Sequence, residues 1–421
     1  MADPTNANGP LRVAILSDDG FPESGGMARS TQLQISQLAA AGHEVVLLAP
    51  KQNLVPPPEA TCLGMPYLHL PHGPDYVSSL QASPRLARRI AAEYPVDVVH
   101  SQTERGALHL GAAMARALGV PHVHTFHANY VGTHATTTIP SGLLSLTYLP
   151  LAGHILRLFS GRAPLASTVR LRDERDSIHA GRDWASLAAI AAHTDAFTSP
   201  APFMVESIEA ASGGALAGRG HVVPGGVADV FARAQRARPA GAPTRFLSCS
   251  RLSPEKRVGA IIDAFALLDD PDAELCVIGA GTEGELNRLR RRAASVPNVR
   301  FLGHYTDSVR IAQEFADADV FVLASYRFDT QGLVLADAAA AGTPILYCDE
   351  RLTIGTSPDN SLLTGPSPAE LAEGMRTLAA DPARRARMSQ AARAWRPSLS
   401  AATMRDRYVQ VYRDAIAAGR R

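Results

Sequence analysis

The chain has 421 residues, 46% of them hydrophobic and 19% charged, with a formal net charge of +1. A chain of this length holds about two to three domains and buries more than one core; its composition excludes disordered and fibrous classes, and its near-zero charge lacks the field of a dedicated nucleic-acid binder. No apolar run reaches about eighteen residues without a polar break or proline, which argues against a spanning helix, and the opening MADPTNANGP has neither the charged nor the apolar region of a signal peptide. The class that remains is a cytoplasmic, multi-domain α/β protein.

Short β-branched runs alternate with helical patterns, as in βαβ units on a parallel sheet. Leu11 to Ser17 (LRVAILS) predicts a buried strand. It is followed by the loop DDGFPESGGMARS and by a helix with apolar positions at Ile35, Leu38 and Ala39, closing at Gly42. HEVVLLAP predicts the second strand, Val96 to His100 and Pro121 to His127 the next two, and shorter strands are expected near Ala196 and Val222. Between Thr133 and Trp184 the rhythm fails: IPSGLLSLTYLPLAGHILRLFSGR is apolar but broken by Pro140, Pro150 and His154. This insertion reads as a buried helical element, as the cover of a pocket, or as a segment lying on a membrane surface.

Ala232 to Pro243 (ARAQRARPAGAP) reads as a linker, and beyond it a second strand series begins: TRFLSCS, AELCVIG, VRFLG, DVFVLAS and TPILYCD. Ala401 to Ala418 predicts a long terminal helix. The expectation is two doubly wound Rossmann-like domains, residues 11–231 and 244–397, with 398–421 packing back toward the first. Ligands of such sheets bind outside the carboxyl ends of strands, here in a cleft faced by both domains. Cys62, Cys249, Cys276 and Cys348 form no C-x-x-C pair and read as reduced, largely buried thiols. Among 41 basic residues only Lys51 and Lys256 are lysines, which makes a lysine at a motif position informative.

SRLSPEK (Ser250 to Lys256) follows a strand, with Ser253 placed as an N-cap and Pro254 at the first helical position. Arg251 and Lys256 would converge there on an anion, the alternative being a solvated charge pair. In SYRFDTQGLVLADAAAAGTPILYCD, Gly332 permits close backbone approach and a helix runs from about Leu333 to Ala341. The amides of Gly332, Leu333 and Val334 would be first-turn donors for a phosphate. Asp329 and Asp337 would accept from sugar hydroxyls, or else serve as a helix-start charge and a solvated face.

These ordered motifs resemble the GT-B retaining glycosyltransferases of the family-4-like kind, over Leu11 to Ala418. That family carries G-R-L-x-x-x-K, here Ser250-Arg251-Leu252 through Lys256, and Glu-x7-Glu followed by A-x-A-x-G-x-P, here Asp329 to Asp337 and Ala338 to Pro344. The resemblance implies that Arg251 and Lys256 hold the donor diphosphate, that Asp329 contacts the hexose and that Asp337 contacts the ribose. PGGVADVF (Pro224 to Phe231) approximates the hinge motif P-N-G-x-D-x-x-x-F, one residue short, and Asn360, Leu362 and Leu363 echo the late N-G-L-L-x motif.

In the first domain SGGM (Ser24 to Met27) occupies the Gly-rich loop, where the amides of Gly25 and Gly26 would approach the donor phosphate. HSQTERGALHLGAAMARALGVPHVHTFHANY is close to the H-x-x-T-E … P-x-V-H-T-x-H pattern of diacylglycerol glucosyltransferases. On that match His127 faces the donor sugar, Glu104 and Tyr130 line the acceptor side, and His122 and His124 are structural. Aspartate at both acidic positions is the main departure; it is one methylene shorter, and a misplacement of about 1 Å can cost roughly 100-fold in rate.

The implied function is a metal-independent, retaining hexosyl transfer from a UDP-sugar, with no cofactor. The acceptor stays open between a lipid such as diacylglycerol and a small secondary-metabolite glycoside or nucleoside, with peripheral membrane contact in the first case. Two other readings fit parts of the sequence. GAGTEG (Gly279 to Gly284) is a literal G-x-G-x-x-G, as in nicotinamide dehydrogenases, but the next strand, VRFLGH, ends without the ribose-binding acid. The other is a catalytically silent sugar-nucleotide-binding protein.

Overall fold

The computed structural model describes residues 9–19, 25–52, 55, 57–69, 78–136, 141–239 and 241–419. Ser24 of the Gly-rich loop, Ile139 and Pro140 of the insertion, Ala240 of the linker and the last two residues of 398–421 lie outside them, as does most of the opening segment. The chain divides into two compact units, Met1–Gly226 with Ala401–Arg421, and Val227–Ser400.

The first unit contains β1 (Arg12–Leu16), β2 (Glu44–Pro50), β3 (Thr61–Met65), β4 (Tyr67–His69), β5 (Ser78–Leu80), β6 (Val98–Ser101), β7 (His122–Thr125), β8 (Ala196–Ser199) and β9 (Gly220–Val222). Seven of these form a sheet in the order β3-β2-β1-β6-β7-β8-β9, every pair parallel, while β4 and β5 make a separate antiparallel pair. β1 reads as a continuous apolar run because both of its faces are covered. Val13 and Ile15 pack with Ile35 and Leu38 of the helix Gly26–Ala40 and with Tyr408 and Tyr412 of the helix Ala401–Gly419. Ala14 and Leu16 point the other way, toward Ile90 of Pro84–Glu93 and Leu110 of Gly106–Leu118.

The insertion forms two helices, Tyr130–Thr136 and Ser141–Ser160. Leu149, Ala152 and Leu156 pack against Trp184 and Leu187 of the helix Ala180–Ala191, whereas Leu143, Leu146, Leu151 and Leu158 are exposed. Buried Asp183 fastens the three helices by accepting from Ser145 Oγ at 3.0 Å and lying 3.0 Å from His134 Nδ1.

In the second unit β10 (Thr244–Cys249), β11 (Ala273–Ile278), β12 (Val299–Gly303), β13 (Val320–Leu323), β14 (Ile345–Tyr347) and β15 (Ser361–Leu363) form a parallel sheet ordered β12-β11-β10-β13-β14-β15. Phe246, Val277 and Val322 pack with Ile262 and Phe265 of the helix Val258–Leu268 and with Met375 of Pro368–Ala380. On the opposite face Leu247, Phe321 and Leu323 pack with Phe315 of Ser308–Asp317 and with Leu335 and Ala339 of Leu333–Ala341. Both units are Rossmann-like α/β layers. The short strands β3, β4, β5 and β15 were not among the expected ones; β3 and β15 are sheet edges, and their apolar runs are too brief to stand out.

Candidate active site

The second unit places its sequence-marked residues in loops behind strand ends. Ser250 N–H continues the ladder onto Ile278 O at 3.1 Å, and Leu252 N–H donates to Ala280 O at 2.7 Å. These bonds draw the segment 250–252 against the loop after β11. A Cβ on Gly279 would lie 1.9 Å from Ser250 O, and one on Gly281 would lie 2.2 Å from Leu252 O. The G-x-G of GAGTEG therefore serves the close passage of two backbones.

The expected helix start at Pro254 takes a different form. Pro254–Lys256 is one 3-10 turn, Arg257 is left-handed with φ 53°, and the α-helix begins at Val258. Ser253 holds the N-cap position of that turn and Pro254 its first position, as expected, but the serine hydroxyl makes no capping bond and donates to Glu255 Oε1 at 2.7 Å. The break follows from Arg257, whose guanidinium donates to Ala324 O and Pro366 O at 3.0 and 2.5 Å and holds the backbone there.

Lys256 Nζ donates to Asp329 Oδ1 and lies 5.3 Å from the ring centroid of Phe328. Asp329 Oδ2 is buried with no hydrogen-bond partner among the described residues. A buried acceptor left unmet is costly, so this oxygen is a place for an incoming donor. Arg251 is more exposed and pairs with Glu255 at 3.4 Å, apart from the Lys256–Asp329 pair. The loop after β13 is shaped by buried Asp349, which accepts from Arg327 N–H at 2.7 Å and from Arg351 Nη2 at 3.0 Å. Gly332, at φ 66°, caps the helix that carries Leu333, Val334 and Asp337, and Asp337 is only 1% exposed. The first amides of that helix have no acceptor within it.

In the first unit Gly25 (φ 87°) precedes Gly26 at the start of Gly26–Ala40. A Cβ at Gly25 would meet nothing within 4 Å, so the glycine answers the backbone angle and not a lack of space. His127 follows the end of β7, and its Nε2 lies 2.6 Å from Gln102 Oε1. Burial lowers its pKa to about 4, against the pull of the Glu104 carboxylate, so the ring is neutral at pH 7. Glu104 Oε2 accepts from Tyr130 Oη at 2.9 Å, and its Oε1 stands 3.7 Å from His124 Nε2. Burial, then the charge of Glu104, keeps the Tyr130 phenol a proton donor far above its ordinary range. Ser101 Oγ lies 2.8 Å from both His122 Nε2 and His124 Nδ1, a bridging role in keeping with structural histidines.

Asp18 and Arg105 are not among the site residues that the sequence predicts. Asp18 Oδ1 accepts from Leu80 N–H and Ala107 N–H at 2.7 and 2.8 Å, and Oδ2 accepts from Thr103 Oγ1 at 2.6 Å. Burial pushes its carboxyl up to about 6, while Arg105, also paired with Asp19, pulls it down. Asp18 was visible only as one of two adjacent acids after the first strand. Among the described residues no group of three or more His, Cys, Asp or Glu is arranged to hold a metal ion.

Two Rossmann-like units with parallel sheets, one with a lysine–carboxylate pair and a glycine-started helix behind its strands, define a two-domain α/β scaffold. The Glycosyltransferase Family 4 domain matches residues 24–230 and the Glycosyl transferases group 1 domain matches residues 232–395. The chain is accordingly a glycosyltransferase of GT-B type, assembled from these two family domains. It is 25% identical over 355 residues to the alpha-monoglucosyldiacylglycerol synthase of Streptococcus pneumoniae, covering 80% of this chain and 70% of that one. A stretch of 149 residues is 35% identical to a GDP-mannose-dependent alpha-(1-6)-phosphatidylinositol dimannoside mannosyltransferase of Mycobacterium tuberculosis, 34% of this chain and 38% of that one. Among solved structures, sucrose-phosphate synthase of Thermosynechococcus elongatus has a TM-score of 0.71 at 19% identity, covering 97% of this chain and 100% of that one.

Proposed function

We propose that this glycosyltransferase moves a hexose from a UDP-sugar to a hydroxyl of a membrane lipid, with retention at the anomeric carbon and without a metal. The observation that carries the donor side is the Lys256–Asp329 pair, with the unmet Oδ2 of Asp329 beside it. Lys256 and Arg251, with the amides of Leu333 and Val334, supply positive charge to the diphosphate as the anomeric C–O bond breaks. Gly25, Gly26 and Gly332 let main chain approach that group. Asp329 holds the hexose, and Asp337 the ribose. In front-face transfer the acceptor oxygen bonds to the anomeric carbon, and its proton passes to the departing diphosphate oxygen. His127 supplies a neutral hydrogen-bonding ring to the hexose, and Glu104 with Tyr130 receives the acceptor hydroxyl.

Two things favour a lipid acceptor. The helix Ser141–Ser160 exposes Leu143, Leu146, Leu151 and Leu158, an apolar face suited to lying on a membrane. The named relatives also carry lipid acceptors in their names. Among the described residues no helix is long and apolar enough to cross a membrane, so the contact proposed is peripheral. GDP-mannose is the competing donor.

Thermal stabilisation with UDP, GDP and their sugars tests the donor: a ligand at about 100 times its dissociation constant adds roughly 2.7 kcal/mol to stability. Stabilisation by GDP and not UDP would replace the donor. Transfer of labelled hexose to diacylglycerol vesicles is the expected acceptor result, and transfer confined to soluble acceptors would sink the lipid assignment. Product NMR reads the anomer, and activity undiminished by chelators is expected.

A further inference from the structure

We propose that the C-terminal helix, through Tyr412, sets the tautomer and ring plane of His127 by a buried side-chain chain running Tyr412–Gln34–Gln102–His127, braced by His100. The inference rests on the role given to His127 above, and adds Gln34, Gln102 and Tyr412 as positioning residues.

The links come from four separate places in the first unit: the helix Gly26–Ala40, the loop after β6, the residues after β7 and the helix Ala401–Gly419. Gln34 Nε2 donates to Tyr412 Oη at 2.8 Å, and Tyr412 Oη lies 2.7 Å from His100 Nδ1. Having accepted from the amide, the phenol gives its own proton to His100 Nδ1. His100 must then donate from Nε2, where Thr125 Oγ1 stands 2.7 Å away, and that hydroxyl is 2.6 Å from Thr198 Oγ1. Gln34 Oε1 accepts from Gln102 Nε2 at 3.1 Å. With its nitrogen committed there, Gln102 turns Oε1 toward His127 Nε2 at 2.6 Å.

A carbonyl oxygen cannot donate, so a proton of His127 sits on Nε2. Gln34, Gln102, His100 and Tyr412 are all 1% exposed or less, which removes water as a competing partner. An amide also has no second protonation state in the working pH range. Gln102 therefore fixes the ring where a carboxylate would charge it. The titratable groups around His127 are Glu104 behind β6, His124 in β7 and His100 in β6. Burial outweighs the single carboxylate among them, in the same direction as the tautomer assignment.

The test is long-range proton–nitrogen NMR on the full-length, unliganded, nitrogen-15-labelled protein, with His127 assigned by its loss in His127→Asn. The expected result is an Nε2–H ring from pH 5.5 to 8. Gln102→Glu should raise the imidazole titration by about one pH unit or more, and move the acid limb of the rate profile with it. Tyr412→Phe, which removes only a hydroxyl, should give mixed tautomers and lower kcat about three- to tenfold with donor KM unchanged. An Nδ1–H ring in the unaltered protein, or a Gln102→Glu variant that titrates as the parent does, would overturn the proposal. Both readings remain available if Tyr412→Phe does not fold. Full transfer by His127→Ala would remove the catalytic role on which the inference rests and leave the tautomer measurement to stand by itself.

Discussion

The strand ends of the two units differ in chemistry, although both sheets are parallel and covered on both faces. In the first unit β6 and β7 carry His100, Ser101, His122, His124 and Thr125 inside the layer, buried and bonded to one another in two sets. In the second unit β11 and β13 end in apolar residues, the buried Glu274 near the start of β11 being paired with Arg245 and Arg238, and the polar chemistry beyond the strand ends lies in the loops, at Lys256–Asp329, at Asp349–Arg351 and at glycine backbones. The bonds within the two sets of the first unit favour one arrangement of the rings and hold it, although His122 Nδ1, His124 Nε2 and Glu104 Oε1 have no hydrogen-bond partner among the described residues. A lysine–carboxylate pair with one oxygen unmet can exchange its partner for a ligand. The first arrangement suits a group kept in a single protonation state, the second a charged ligand that comes and goes.

Substitutions on either side test that contrast. The largest effect is expected from His127→Ala, with kcat reduced about 100- to 10,000-fold and donor affinity by calorimetry unchanged; an equal loss of donor affinity would contradict the separation of roles. Lys256→Ala should weaken donor binding by roughly 10- to 100-fold, the size of a charge-assisted hydrogen bond, and donor affinity equal to the parent's would remove Lys256 from the anion site. Gly281→Ala forces a Cβ to within 2.2 Å of Leu252 O and should cost about 1–3 kcal/mol of stability in urea unfolding. An unchanged midpoint would mean that the 250–252 segment is not held by this close passage.

The smallest effect is a pH dependence belonging to the first unit. Burial depresses the pKa of His100, His122 and His127, the last to about 4, whereas the unfolded chain protonates them near 6.5. The folded state thus binds fewer protons below about 6.5, and stability falls as pH drops through that window. Asp18 acts oppositely: its carboxyl, raised to about 6, contributes stability that is lost as pH rises through 6. His43, His109, His193 and His221 are depressed as well, and Asp19 is raised like Asp18, so seven rings outweigh two carboxyls and Tm should be a few degrees lower at pH 5 than at pH 7. A higher Tm at pH 5 would mean that the Asp18 and Asp19 carboxyls dominate.

Much of this protein is written in the sequence alone. Central strands covered on both faces are largely apolar, as in residues 13–16 and 275–278, and these runs announce a parallel α/β fold without any partner being known. Local chemistry was legible for the same reason: a glycine at a strand end, a lysine among arginines and an acid before an alanine-rich helix are each visible within a few residues. Tertiary structure alone decided who meets whom. It turned Lys256 onto Asp329, broke the expected helix at Arg257 through bonds to Ala324 and Pro366, and showed that Gly279 and Gly281 accommodate residues 250–252. It also brought Tyr412 within reach of Gln34, 378 positions away in the chain. Periodicity records which face of an element is buried, but the partner across that face is set by register and packing between elements distant in sequence.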